Sequence, residues 1–197
     1  MFERKLVLPK EKTETFFLWG PRQTGKTTLL RQKYPNAFWI DLLKADHYRR
    51  YLTRPERMRE EIEALESTPF VVIDEVQKVP KILDEVHWLH EAHGLQFALC
   101  GSSARKVKRG AANLLGGRAV RYELRGLTSA EFGSAFELER ILNHGFLPRV
   151  YESDRPKRLL NGYVADYLKE EVASEGLVRN LPVFSEFLNI ASLSDTH

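Results

Sequence analysis

Gly20-Pro21-Arg22-Gln23-Thr24-Gly25-Lys26-Thr27 has the spacing G-x-x-x-x-G-K-[ST], and each fixed position suits one task in holding a triphosphate. The two glycines let the main chain turn tightly and approach phosphate oxygens with no Cβ in the way. Successive N–H groups can then face one concave anion nest. Lys26 can reach the β and γ phosphates, and the Thr27 hydroxyl is a hard oxygen ligand for Mg²⁺. A helix beginning at Lys26 turns its positive end toward the same charge. Gly20, Pro21, Arg22, Gln23, Thr24, Gly25, Lys26, Thr27 and Thr28 are therefore the candidate nucleotide cradle. A chance match in a chain of this length is roughly a 1% event.

Phe70-Val71-Val72-Ile73-Asp74-Glu75 is four apolar residues followed by two acids. A buried strand with this ending sets both carboxylates at the carboxyl edge of a sheet, where open α/β sheets bind ligands. Asp74 is a candidate for holding Mg²⁺ through water. Glu75, one residue on, points elsewhere and can polarise a water for attack on the γ-phosphate. An acid in that place favours hydrolysis over transfer to an acceptor.

Leu99-Cys100-Gly101-Ser102-Ser103 ends another apolar run in hydroxyls. Ser102 would reach the γ-phosphate or the attacking water if its strand lies between the first and the third. Ser103 serves equally well as a helix N-cap. In Leu114-Leu115-Gly116-Gly117-Arg118 two glycines form a turn that can project a guanidinium. Arg118 can serve phosphate in its own chain, a neighbour's nucleotide as an arginine finger, or simply as surface charge. Arg105, Lys106, Lys108, Arg109, Arg118, Arg121 and Arg125 stand against Glu123 alone. Nucleic-acid contact is one reading of this 105–125 stretch, but aromatic interleaving does not support it. His87, His90 and His93 spread about 9 Å along a helix, too far for one metal ion.

These groups need rigid elements beneath them. Thr15–Trp19, Ala37–Asp41, Phe70–Asp74, Gln96–Cys100 and Val120–Leu124 are short apolar runs that read as strands. Helices are expected at Lys26–Tyr34, at Arg54–Leu65 behind a Thr53/Glu56 capping box with Pro55 in its first turn, and at Lys81–His93 between Pro80 and Gly94. The alternation implies an α/β domain with a mostly parallel sheet covered on both faces. After about residue 125 the pattern turns helical. Thr128 and Glu131 form a second capping box, opening a helix through about Glu137. Leu159, Leu160, Tyr163, Val164, Tyr167, Leu168 and Val172 recur at helical spacing over 155–173, and Phe184 to Ala191 mark a last helix. The reading is an α/β core over 1–127 and a helical extension over 128–197.

The 197 residues are 43% hydrophobic and 29% charged, with net charge +3. That is a globular balance, too mildly basic to indicate nucleic acid by charge. A single cysteine excludes an internal disulfide framework. No run approaches 18 apolar residues, so no membrane contact is expected. Charges spread through residues 1–18 leave no apolar leader segment, which points to the cytoplasm.

Four stretches together resemble AAA+ type P-loop ATPases, more narrowly the prokaryotic AAA-type ATPases that carry a C-terminal domain of unknown function. They are GPRQTGKTTLL at 20–30, VVIDEVQKVP at 71–80, LCGSSA at 99–104 and LLGGRAVRYELRGLTSAEF at 114–132, with HGFLPRVY at 144–151 as a further match. The resemblance implies a P-loop NTPase core with a five-stranded parallel sheet in the order 5-1-4-3-2. Carried over by position, it makes Lys26 and Thr27 the Walker A pair, Asp74 the Mg²⁺ acid, Glu75 the water activator, Ser102 the sensor and Arg118 the finger. Such proteins continue into winged-helix-like and nuclease-like regions, so 128–197 reads as the start of a truncated C-terminal region. The function expected is Mg²⁺-dependent ATP hydrolysis driving a conformational switch. Two other readings stay open: a nucleotide-binding regulatory module with negligible turnover, and a small-molecule kinase. The partners expected are ATP, a second copy of the chain and a protein of unstated identity.

Overall fold

The computed structural model describes residues 2–67, 69–102, 104, 107, 115–167 and 180–194. The chain divides into two compact units, Met1–Phe136 and Glu137–His197. In the first, the order is β1 (Thr15–Trp19), α1 (Lys26–Lys33), β2 (Phe38–Asp41), α2 (Ala45–Thr53), α3 (Arg57–Glu63), β3 (Val71–Asp74), α4 (Ile82–His93), β4 (Phe97–Gly101), β5 (Ala119–Glu123) and a short α5 (Ser129–Phe132).

All five strands pair in parallel, in the order β2-β3-β4-β1-β5. This is the expected order read from the other edge. The strands are apolar at successive positions because both faces are covered. Phe17 and Trp19 of β1 join Val71, Ile73, Phe97 and Leu99 in one core layer, with Leu83, Val86 and Leu89 of α4 packed there. Phe16 and Leu18 join Val72, Ala98 and Cys100 in the other, against Leu30 and Tyr34. Each large side chain buried this fully contributes about 1.5–3 kcal/mol. Parallel pairing brings every carboxyl end to the same edge, which is why the phosphate loop after β1 meets the acids after β3.

Three expectations change. Residues 45–53 are helical, and Thr53 ends α2 rather than capping the next helix. Pro55 lies in the turn between them, where Met58 N–H bonds its carbonyl at 3.0 Å, and α3 begins at Arg57 behind Glu56 with no side-chain cap. The turn is set by packing: Tyr51 is buried, and its hydroxyl donates to Glu61 at 2.7 Å. The helix opened by Thr128 ends at Phe132, because Gly133 takes φ 55° and a 3₁₀ turn follows. Glu131 of that helix bonds the N-terminal segment within the first unit.

The second unit contains α6 (Leu138–His144), α7 (Pro148–Tyr151), α8 (Pro156–Tyr167) and α9 (Leu181–Ser194). Ile141, Val150 and Tyr151 are its buried residues among those described. Arg140 closes the end of α7, donating to the carbonyls of Tyr151 at 2.6 and 3.0 Å and of Ser153 at 2.8 Å. The expected helix over 155–173 is described as far as Tyr167; its remainder lies outside the described residues.

Candidate functional site

The loop between β1 and α1 takes its shape from backbone that side chains resist. Gly20 has φ 154°, and a Cβ there would sit 1.9 Å from the Leu124 carbonyl oxygen. Gly25 has φ 89° at the start of α1. Lys26 is buried, and its Nζ donates to the carbonyls of Gly20 at 2.7 Å and Pro21 at 2.8 Å. The ammonium is thereby kept against the loop. Thr24 is fully buried, its hydroxyl bonded to the Pro21 carbonyl at 3.0 Å.

The Thr27 hydroxyl donates to Asp74 Oδ2 at 2.7 Å, joining residues 47 positions apart. Asp74 is buried at the end of β3, and its other oxygen accepts the Glu75 N–H at 3.1 Å. A hydroxyl and a carboxylate side by side are the hard oxygen donors that suit Mg²⁺, which takes one or two protein ligands and otherwise keeps water and phosphate oxygens. The donor set fits the ion. Among the described residues no group of three or more His, Cys, Asp or Glu could hold a metal; His87 approaches Glu91, His93 approaches Glu63, and His90 bonds the Leu95 carbonyl.

Glu75 adopts left-handed backbone, φ 59° and ψ 42°, at a cost of about 1–2 kcal/mol. Burial and the Asp74 charge raise its carboxyl above the ordinary glutamate value, while Gln77, Lys26 and Arg22 pull the other way. A half-buried carboxylate with raised basicity suits proton acceptance from water. Ser102, just past β4, accepts a hydrogen bond from Gln77 Nε2 at 3.1 Å, and the same nitrogen donates to Glu75 Oε2. Ser102 thus stands on the Glu75 side of the site, as its strand's position between β1 and β3 requires.

Arg118 is placed elsewhere. Thr15 pairs with Ala119 and Trp19 with Glu123, so Arg118 lies at the amino edge of the sheet and the phosphate loop at the carboxyl edge. Four strand steps of about 3.3 Å separate the two edges, and the guanidinium is engaged by Glu91 of α4. A role on its own chain's phosphates is corrected by this register. Ser103 and residues 105, 106 and 108–114 of the basic stretch lie outside the described residues.

Two site residues escaped the sequence reading. Gln77 stands inside the VVIDEVQKVP match at 71–80, but no role attached to it there. Arg4, nearly buried, donates to the carbonyls of Thr24 at 2.6 Å and Arg125 at 2.7 Å and pairs with Glu131 at 3.0 Å. It ties the phosphate loop to the segment that follows β5, and no local pattern announces it.

A parallel sheet with the loop after β1 at its carboxyl edge and an acid after β3 defines a P-loop ATPase domain. Residues 12–133 match the family model described as AAA domain (AAA_14), and the chain belongs to this family. The uncharacterized proteins Mb2031c of Mycobacterium bovis and Rv2008c of Mycobacterium tuberculosis are each 27% identical to it over 169 residues. These alignments cover 81% of this chain and 36% of each relative, so the chain spans about a third of their length. Matching solved structures include the RuvB Holliday junction branch migration motor of Thermotoga maritima, with 16% identity, TM-score 0.46 and coverage of 82% of this chain and 56% of that one. The ADP form of Aeropyrum pernix ORC2 matches with 15% identity, TM-score 0.44 and coverage of 84% and 55%. No helix among the described residues is long and apolar enough to cross a membrane.

Proposed function

We propose that the chain binds ATP in the Gly20–Thr28 loop and hydrolyses it with Mg²⁺, using the cycle to switch conformation. The observation that carries this is the Thr27–Asp74 hydrogen bond of 2.7 Å, which unites the phosphate loop with the acid strand. Lys26 neutralises the β and γ phosphates, and loop N–H groups share the remaining charge. Thr27 and Asp74 would hold Mg²⁺, which supplies charge neutralisation across the phosphate oxygens. Glu75 accepts the proton of the attacking water, and Ser102 reports the terminal phosphate. Arg118, facing away from its own loop, serves the nucleotide of a second copy of the chain.

Phosphate release measured beside Glu75→Gln tests the reading, with ATP titrated calorimetrically into both. The expected result is equal binding and turnover lowered by about 10²–10⁴-fold in the variant, the range of a lost general base. The position of Arg118, away from its own phosphate loop, favours one alternative: a nucleotide-binding regulatory module with negligible turnover, whose partner supplies the missing parts. Equal near-zero rates for both proteins at every chain concentration would establish it.

A further inference from the structure

Glu75 follows β3 and Ser102 follows β4, two neighbouring parallel strands with Ile73 paired to Leu99. Gln77 bridges the two ends. It sits in a 3₁₀ turn, Val76–Lys78, fixed by buried Val76 and Val79 and by the Lys78 N–H on the Glu75 carbonyl at 2.9 Å. Its side-chain nitrogen donates to Glu75 Oε2 and to Ser102 Oγ. An amide NH₂ has two hydrogens, so each acceptor takes one.

The other end of the amide shows what sets this arrangement. Among the described residues, Gln77 Oε1 is buried with no hydrogen-bond partner. A Cβ on Gly101 would lie 2.2 Å from it, so glycine at 101 is what makes room for the amide. Turning the amide over would point its oxygen at the carboxylate and lose both donations. The side chain therefore leaves a buried acceptor unpaired and keeps the NH₂ on Glu75 and Ser102. Groups that serve stability alone are normally satisfied; here the orientation favours the site.

We infer that Gln77 is the positioning residue of the candidate base: its amide nitrogen orients the Glu75 carboxylate and ties it to Ser102. A movement of Ser102 at the end of β4 is then passed to Glu75 through one rigid amide. The inference rests on the proposed hydrolysis, in which Glu75 and Ser102 act on the terminal phosphate. Gln77 touches neither water nor nucleotide in this role.

Gln77→Met keeps the length of the side chain and removes both donors. Together with Ser102→Ala and the double variant, it is compared with the whole wild-type chain by phosphate release, calorimetric ATP binding with Mg²⁺, and thermal unfolding. The expected result is cooperative unfolding and ATP affinity and KM within about twofold of wild type, with kcat lowered at least tenfold. The double variant should lose no more than the worse single one, because both break the same link. A purely structural Gln77 would alter unfolding and binding together and leave no split between kcat and KM. Should Gln77→Met fail to unfold cooperatively, Gln77→Asn, which keeps the amide and draws it back by one methylene, tests the same link with the same readouts. Wild-type kcat in both single variants, or losses that multiply in the double one, would overturn the inference. Wild-type turnover no higher than that of Glu75→Gln removes the hydrolysis reading and this inference with it. A clear Glu75→Gln loss beside an unaffected Gln77→Met removes the inference only.

Discussion

Glu75 and Glu131 are both drawn out of solvent in the first unit, and their surroundings push them in opposite directions. At Glu75 burial dominates, Asp74 adds repulsion, and the carboxyl is raised. At Glu131 burial also opposes the charge, but the N–H groups of Lys5 and Thr128 and the Arg4 guanidinium outweigh it, and the carboxyl is lowered. The Glu131 bonds are 2.7 Å from Lys5, 2.9 Å from Thr128 and 3.0 Å from Arg4. One acid is left reactive on a strained left-handed turn, while the other is saturated with donors inside a capped helix. Raised basicity at low stability marks a group for chemistry; a saturated carboxylate marks a fastening.

The sharpest way to break this contrast is to remove each acid. Glu75→Gln should cost about 10²–10⁴-fold in turnover and leave the unfolding free energy at neutral pH no lower than wild type, since it removes a buried charge. Glu131→Ala should do the reverse in kind. It leaves the nearly buried Arg4 without its partner, and breaking such a pair costs about 3–5 kcal/mol, read by urea denaturation. Because Arg4 also holds the Thr24 carbonyl, Arg4→Ala should lose similar stability and weaken ATP binding as well. A Glu131→Ala protein as stable as wild type, or a Glu75→Gln protein with unchanged turnover, would erase the distinction.

The two acids also differ in how they could be found. The phosphate loop and Asp74-Glu75 are read from local spacing, since contiguous residues carry the chemistry and the apolar run names the strand. That the sheet is covered on both faces was legible for the same reason; the structure adds that Phe16 and Leu18 face one layer and Phe17 and Trp19 the other. The strand order followed from the family resemblance instead. Glu131 was visible as a capping-box residue, but Arg4 stands 127 positions away from it, and an arginine in a charged N-terminal stretch looks solvated. Helix α2 has a face, since Tyr48 and Tyr51 stand three apart against the core, but its polar and charged neighbours leave only two aromatic rings to mark it in the sequence. The left-handed turn at Glu75 and the Gln77 bridge depend on tertiary packing that no period records.

Stability as a function of pH sharpens the contrast further. Glu131 has a lowered folded value, so its contribution is present above the ordinary glutamate value of about 4.5 and is lost as pH falls through the folded value. Glu75 has a raised folded value. Its proton is held more tightly in the folded chain, so stability declines as pH rises from about 4.5 through that value. Thermal unfolding between pH 3 and 7 should therefore show Glu131→Gln with a flatter acid limb than wild type. Glu75→Gln should lose the decline on the other side of about 4.5. The same slope change in both variants would contradict the opposed shifts.

The smallest effect on stability is expected at Arg118. Its ion pair with Glu91 is exposed on both sides, and such pairs contribute about 0–1 kcal/mol. Arg118→Ala should therefore unfold within that margin of wild type. Its register beside Thr15 keeps it from its own phosphate loop, so turnover at low chain concentration should also stay near wild type. If a neighbouring copy presents Arg118 to the nucleotide, specific activity of the wild type rises with chain concentration and that of Arg118→Ala does not. Loss of activity at the lowest concentration, where single copies prevail, would mean that the guanidinium acts within its own chain.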